Sequence, residues 1–362
     1  MILKNAIKVL SKSSIKAGDG KEKGEFPLYT CSSVVNKYLD DYMCEKETVI
    51  VSTGGNFSIH YVNQKFNYST DCLAFTNNEN FKLKYIYYYL LSKKRIIDNM
   101  FRGSGLKHLN RNEFLAIDIE CLDFNTQNKI IEELDIINDA ILNRKDQLQD
   151  IEKLIQFQFV NMFGQLDSNI FPIKKLSEIA NVGSSHRVFT SEFVKEGIPF
   201  YRGTEISQLS NGIVPKDCYY ISKEHYNKLC NDNTKPKVGD LLLPSICDKG
   251  QIWLVDTEEP FYYKDGRVLC ISLTDSNINN KYLYYYMKLK TMSEYIKLGK
   301  GTTFAEFKIF ILKNFDISIP PIELQNKFEN FINLLLEQKN KILADIKDLE
   351  KLLEIRMNNY FN

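Results

Sequence analysis

Two sets of small, basic and hydrogen-bonding residues are where this chain could do chemistry. The first is Ser52, Thr53, Asn56, Lys65, Arg102, Ser104, Lys107, His108, Asn110 and Arg111. The second is Ser184, His186, Arg187, Arg202, Thr204, Lys249, Arg267, Lys300, Thr302 and Thr303. Arg and Lys pair with guanine edges, Asn with adenine, and hydroxyls with bases or phosphates, so these loops carry the donors and acceptors that read DNA. The same residue types also make an ordinary solvated surface, and Gly103 and Gly105 also suit a turn that merely needs positive φ. Loop composition alone leaves both readings open.

Catalytic signatures are missing. Gly18 to Gly24 holds glycines but no phosphate-binding G-x-x-x-x-G-K-[ST]. Methylation of an exocyclic amine needs Asp or Asn ahead of Pro-Pro-aromatic, to accept the amine's hydrogen bonds. The one Pro-Pro, in Ile319-Pro320-Pro321-Ile322, has an apolar residue there and reads as a helix start. Gly103-Ser104-Gly105 is not expected to bind a dinucleotide, because no strand is expected before it and the third glycine is missing. No Ser/His/Asp order or paired carboxylates stand out. The eight cysteines show no C-x-x-C and none sits near a His at zinc spacing, so they read as reduced thiols of a cytoplasmic protein. A net charge of +1 argues against DNA binding through bulk charge alone and leaves room for local basic patches and a partner that supplies the rest. No apolar run reaches membrane-span length and the N-terminus lacks signal-peptide architecture.

The elements that must position these loops are two long helices and the text before each. Ile130, Leu134, Ile137, Ile141, Leu148, Ile151 and Ile155 recur at heptad spacing, broken only at Arg144. Phe328, Ile332, Leu335, Ile342, Ile346, Leu349, Leu353 and Tyr360 do the same in the second copy. Gln127-Asn128-Lys129-Ile130 matches Gln325-Asn326-Lys327-Phe328 at a fixed shift, and Tyr85 to Tyr89 matches Tyr282 to Tyr286. Strands are expected at Val49–Val51, Phe57–Val62 and Asp71–Phe75, then at Asp240–Leu243, Ile252–Val255 and Arg267–Ser272. The stripe Phe81, Tyr85, Tyr88 and Tyr89 is expected to pack against the sheet rather than stack bases. The chain is therefore a tandem duplication of an α+β module. Its domains are expected at 1–123 and 165–321, with spacer helices at 124–164 and 322–362 forming an antiparallel coiled coil. At 1.5 Å per residue each helix spans about 60 Å.

The order of globular part, long helix, globular part, long helix resembles the specificity subunit of type I restriction–modification systems. The stretches KAGDGKEKGEFPLYT at Lys16–Thr30, GIPFYRG at Gly197–Gly203, YIYYYLL, YLYYYMK and IPPIELQNKF at Ile319–Phe328 carry the likeness over nearly the whole chain. The resemblance implies a non-catalytic, cytoplasmic subunit with no metal site, whose two target-recognition domains each read half of a split, asymmetric double-stranded DNA target. Methyltransferase subunits, and restriction subunits where present, are the implied partners. S-adenosylmethionine, and ATP with Mg for restriction, are expected on those partners and none on this chain. Two alternatives remain: a non-DNA scaffold whose two binding domains are spaced by the coil, and a stand-alone enzyme with an unrecognised site, against which the missing cofactor loop and amine-binding motif weigh.

Overall fold

The computed structural model describes residues 1–166, 168, 170–232, 234–298 and 305–361. Two compact units emerge: Met1–Leu148 with Lys341–Asn362, and Gln149–Asn340. The long helices Phe124–Phe163 and Ile322–Phe361 are continuous over 40 residues each. Each unit therefore holds one globular part and a portion of both helices.

In the first unit a four-stranded antiparallel sheet has the order Ile7–Val9, Cys72–Asn77, Thr48–Ser52, Ile59–Val62. Strand residues alternate between faces. Val49, Val51, Leu73 and Phe75 join the aromatic helix Leu83–Ser92 in the main core. Ile50, Ala74 and Cys72 face a second cluster with Tyr29, Phe66 and Tyr68. Both faces of Thr48–Ser52 are thus covered, and all five of its residues are buried. The tyrosine stripe packs as expected, with Phe81, Tyr85 and Tyr88 in the core.

The second unit builds the same sheet from Ala180–Gly183, Val268–Leu273, Leu241–Pro244 and Trp253–Leu254. Each unit adds a second sheet, three-stranded in the first and four-stranded in the second, containing one parallel pair. These pairs are Phe26–Tyr29 with Asn67–Tyr68, and Ile198–Tyr201 with Tyr262–Tyr263.

The duplication extends to single hydrogen bonds. Gln127 is fully buried; its amide donates to the carbonyls of Asn80 and Leu122 at 3.0 and 2.7 Å and accepts from the Lys82 N–H at 2.8 Å. Gln325, equally buried, donates to Asn277 and Pro320 at 3.2 and 2.8 Å and accepts from the Asn279 N–H at 2.8 Å. The Tyr85 and Tyr89 hydroxyls donate to the Glu120 and Asp118 carbonyls, as Tyr282 and Tyr286 do to Ser318 and Asp316.

The helix portions run antiparallel within each unit. Glu133 pairs with Arg356 at 3.2 Å and Arg144 with Asp345 at 3.2 Å in the first; Glu152 pairs with Lys339 at 3.2 Å in the second. Exposed pairs like these set register more than they stabilise. Arg144, the break in the apolar seam, is accommodated by Asp345. The seam of the second helix continues through Met357 to Phe361, which is more deeply buried than the expected Tyr360. Phe361 lies edge-on to Tyr85 and Tyr89, both centroids 5.5 Å away, while Phe163 lies 4.7 Å from Tyr282. Each unit's tyrosine helix is thus closed by the last phenylalanine of the other copy's long helix.

One expectation about Gly103 is corrected. A strand, Phe101–Arg102, does precede it, but it returns as a hairpin with His108–Leu109 instead of entering a helix. Gly103, at φ +147, closes so tightly that a Cβ there would meet the Leu106 carbonyl oxygen at 2.6 Å. No phosphate cradle forms, because the N–H groups of a helix start are not offered there.

Candidate nucleic-acid interface

In the first unit the expected residues gather at the Ser52 end of the central strand. The turn after that strand and the hairpin 101–109 are sewn together: Gly55 N–H donates to the Lys107 carbonyl at 2.8 Å, and Leu109 N–H to the Thr53 carbonyl at 3.0 Å. This brings Thr53, Asn56, Lys107 and His108 onto one edge, with Ser104 at the exposed hairpin tip. Arg102 also projects here but its guanidinium donates to Glu113 at 2.7 Å. Asn110 caps the helix Arg111–Leu115, accepting from Glu113 N–H at 3.3 Å, which leaves Arg111 exposed on its first turn.

Two expectations here fail on geometry. Ser52 is buried and its hydroxyl is consumed within the turn, donating to the Asn56 carbonyl and accepting from Ser58 N–H, both at 2.8 Å. It shapes the loop and cannot meet a ligand. Lys65 follows the strand Ile59–Val62, whose Val62 lies opposite Thr48. That is the far end of the sheet, where its ammonium sits 4.3 Å over the Tyr42 ring.

The second unit uses the corresponding end. Pro244 pairs with Val268, so the turn carrying Lys249, the residue Arg267 and the start of helix Gly203–Leu209 converge there. A Cβ on Gly203 would lie 3.2 Å from Pro244 and 3.9 Å from the Arg267 carbonyl. Arg202 is clamped by Glu205 through two bonds of 3.1 and 2.6 Å, and its guanidinium lies 4.7 Å over the Tyr219 ring. The arginine holds the Glu205 carboxyl below its ordinary range, against the burial that opposes ionisation. Thr204 is exposed beside it. Arg267 pairs with Glu306, and Arg187 lies 3.5 Å from Asp265. His186 bonds Asp232 at 2.6 Å, an interaction that holds this carboxyl down at about 2. The half-buried Ser184 hydroxyl donates to the Val268 carbonyl at 2.7 Å and accepts from Gly266 N–H at 2.9 Å, closing a loop. Lys300, Thr302 and Thr303, with the matched Gly299 and Gly301, lie outside the described residues.

Charge availability separates these residues. Among the described residues no ion pair engages Lys107, Arg111 or Lys249, whereas Arg102, Arg187, Arg202 and Arg267 all have carboxylate partners. Paired arginines hold fixed orientations, which suits directional recognition of a base edge; unpaired lysines suit phosphates. No group of three His, Cys, Asp or Glu among the described residues could hold a metal.

The model of the type I restriction modification DNA specificity domain matches residues 3–153 and again 171–351. The chain belongs to that family. It is a DNA specificity subunit of a type I restriction–modification system, a non-catalytic component of that complex. Over 365 aligned residues it is 24% identical to a Haemophilus influenzae protein named type I restriction enzyme specificity subunit S.HindORF215P, covering 93% of this chain and 87% of the relative. It is 26% identical to the MjaIX specificity subunit of Methanocaldococcus jannaschii, over 75% of this chain and 66% of that one. The crystal structure of a type I restriction–modification S subunit from M. genitalium shares the fold with a TM-score of 0.53 at 15% identity, covering 100% of this chain and 95% of that one.

A further feature of this specificity subunit escaped the sequence reading. Ile136, Leu154 and Phe157 on the first long helix are exposed large apolar residues, and so are Leu334, Leu352 and Ile355 on the second. Each member of one set lies at the duplication shift from its counterpart. Antiparallel pairing sorts them: the Glu133–Arg356 pair sets Ile136 level with Leu352 and Ile355, all in the first unit. Phe328 against Phe159 and Lys339 against Glu152 set Leu334 level with Leu154 and Phe157 in the second. Every unit thus carries an equivalent triad of exposed large apolar residues at one level of its helix pair. The signal was available as exposed apolar positions obeying the repeat.

Proposed function

We propose that the chain reads a bipartite, asymmetric double-stranded DNA target, with residues 1–123 and 165–321 each serving one half and the helices 124–164 and 322–362 as the spacer. The observation that carries this reading is the same sheet built twice, with unlike loops at the same end of the central strand. Equal scaffolds give two equivalent reading positions; unlike loops give unlike half-targets. Thr53, Asn56, His108, Arg202, Thr204 and Arg267 are assigned to bases, and Lys107, Arg111 and Lys249 to phosphates, with Ser104, Arg102, His186 and Arg187 at the margin.

Methyl transfer and strand cleavage fall to methyltransferase and restriction subunits, which hold S-adenosylmethionine and ATP with Mg. Two methyltransferase copies are assigned to the two apolar triads, one on each. No helix among the described residues is long and apolar enough to cross a membrane, and a cytoplasmic site of action accords with DNA as the ligand.

The test is co-expression with the genomically adjacent methyltransferase and mapping of methylated positions across the host DNA. One split motif with two different halves is expected; an unsplit or palindromic motif refutes the assignment. Native mass spectrometry of Ile136→Asp and of Leu334→Asp should each show loss of one methyltransferase copy. Retention of both copies in both variants removes the triads as docking sites.

A further inference from the structure

Cys31 and Cys72 meet beside the loop face of the first unit. The parallel strands Phe26–Tyr29 and Asn67–Tyr68 run with Tyr29 beside Tyr68, and both chains continue the same way, Ser69 N–H donating to the Tyr29 carbonyl at 2.9 Å. Cys31 follows that point by two residues and Cys72 by four. Their sulfurs are cross-held. Cys31 Sγ lies 3.2 Å from the carbonyl oxygen of Asp71, the residue before Cys72, and Cys72 Sγ lies 3.7 Å from the carbonyl oxygen of Tyr29, two residues before Cys31, so the two side chains are neighbours. Cys72 is buried, whereas Cys31 is partly open to solvent. A thiol that solvent reaches, backed by a second thiol beside it, is the arrangement of an attacking and a resolving cysteine.

The charge falls on the outer sulfur. The neighbouring Cys72 thiol lowers the Cys31 pKa, burial opposes it, and the Gly54 N–H adds to the lowering. The Cys31 neighbour and burial push the Cys72 thiol up. The thiolate is the form that attacks peroxides.

We propose that Cys31 and Cys72 form a reversible disulfide on exposure to a hydroperoxide, and that this disulfide impairs reading of the half-target served by the first unit. The Cys31 thiolate attacks the outer peroxide oxygen and the O–O bond breaks. The leaving oxygen takes a proton as water or alcohol, and Cys31 is left as a sulfenic acid. The Cys72 sulfur then attacks Cys31, its proton and the sulfenic hydroxyl departing together as water. Two thiols lose two electrons and the peroxide gains them.

The effect on recognition follows from what the sulfur touches. A Cβ on Gly54 would lie 3.7 Å from Cys31 Sγ and 3.9 Å from His108 Nδ1, so the sulfur borders the turn that is sewn to Lys107 and His108. A disulfide holds its sulfurs about 2.05 Å apart with a fixed dihedral preference, which draws Cys31 away from the Gly54 N–H. This functional half of the proposal rests on those loops contacting DNA.

The test uses the full chain co-purified with its methyltransferase, treated with hydrogen peroxide, alkylated and digested without reductant. A linked Cys31–Cys72 peptide is expected, two hydrogens lighter than its parts, absent after thiol reductant and absent in Cys31→Ser. Cys72→Ser should instead accumulate a dimedone-reactive sulfenic acid at Cys31. Oxidation should reduce methylation of cognate DNA by about tenfold, the cost of one mismatched pair, and reductant should restore it in wild type while Cys31→Ser stays unaffected. No linked peptide at peroxide levels that oxidise the exposed Cys121 overturns the site. If the link forms and methylation holds, Lys107→Ala decides: loss of methylation there refutes the redox effect alone, and no loss there refutes the DNA-contact reading beneath it.

Discussion

The buried glutamines give the sharpest quantitative test of how each unit is held to its helices. Gln127→Leu keeps the volume but removes one acceptor and two donors from a fully buried position. The Lys82 N–H then has no partner, a cost of about 1–3 kcal/mol, and two carbonyls lose one bond each at about 1 kcal/mol apiece. The sum is roughly 3–5 kcal/mol. Gln127→Glu is the more telling variant. Above its titration the new carboxylate faces two carbonyl oxygens with no cation among the bonded groups, so burial and repulsion raise its folded pKa above the unfolded value of about 4.3. The variant is therefore least destabilised below about pH 4.3 and loses stability as pH rises through the raised folded pKa. A single melting temperature is ill-defined for two units, so amide hydrogen exchange resolved by segment is the assay. Exchange in strands Thr48–Ser52 and Cys72–Asn77 should accelerate by roughly two to four orders of magnitude in Gln127→Leu. Strands Leu241–Pro244 and Val268–Leu273 should change little, and Gln325→Leu should reverse the pattern. A change under fivefold, or equal acceleration of both sheets, refutes the argument.

Lys107→Ala should weaken DNA binding by the complex about equally for all sequences and reduce the slope of log affinity against log salt by about 0.9; an unchanged slope removes Lys107 from the phosphate contacts. Replacing 165–321 by another recognition domain should alter one half of the methylated motif and leave the other intact; methylome mapping that finds both halves changed defeats independent reading. Inserting one heptad into each long helix adds about 10 Å of helix and should lengthen the preferred spacer by roughly three base pairs, measured on a library of spacer lengths. An unchanged spacer in a stable double insertion means the helices do not set the distance.

Periodicity is what made the fold legible. The heptad apolar positions and the repeated Gln-Asn-Lys text name the helices and the duplication without reference to tertiary contacts, and the tyrosine stripe declares its buried face by helical spacing. The loops were legible in type but not in use. Ser52 and Ser184 look identical in sequence to exposed hydroxyls, yet each satisfies a turn, because a short polar side chain beside a tight turn competes for the backbone. Lys65 sits at the wrong end of the sheet because strand direction, not sequence distance, decides which turns share an edge. The ion pairs of Arg102 and Arg267 join residues 11 and 39 positions apart, and charge spacing gives no sign of such distant partners. The exposed triads went unread because each apolar residue looks ordinary alone; only superposing the two copies reveals that exposure repeats.

Comparing the copies with each other separates what must be done twice from what must be done differently. The glutamine clamp, the tyrosine hydroxyl bonds, the sheet order and the apolar triads recur, and each fixes a module to its helices or offers a surface to something outside. Repeated surfaces on a duplicated frame suit two like partners, since a partner selected by one triad meets nearly the same geometry on the other. The loop ends differ in balance. Around the first, Lys107 and Arg111 have no ion-pair partner among the described residues and one arginine, Arg102, is paired; around the second, Lys249 has none and three arginines, Arg187, Arg202 and Arg267, are each paired with a carboxylate. A pre-oriented guanidinium discriminates by direction and favours guanine, whereas the Asn56 amide favours adenine. The half-target served by the second unit should therefore be the richer in guanine, and its discrimination the more sensitive to truncating a carboxylate such as Glu205 that touches no DNA itself.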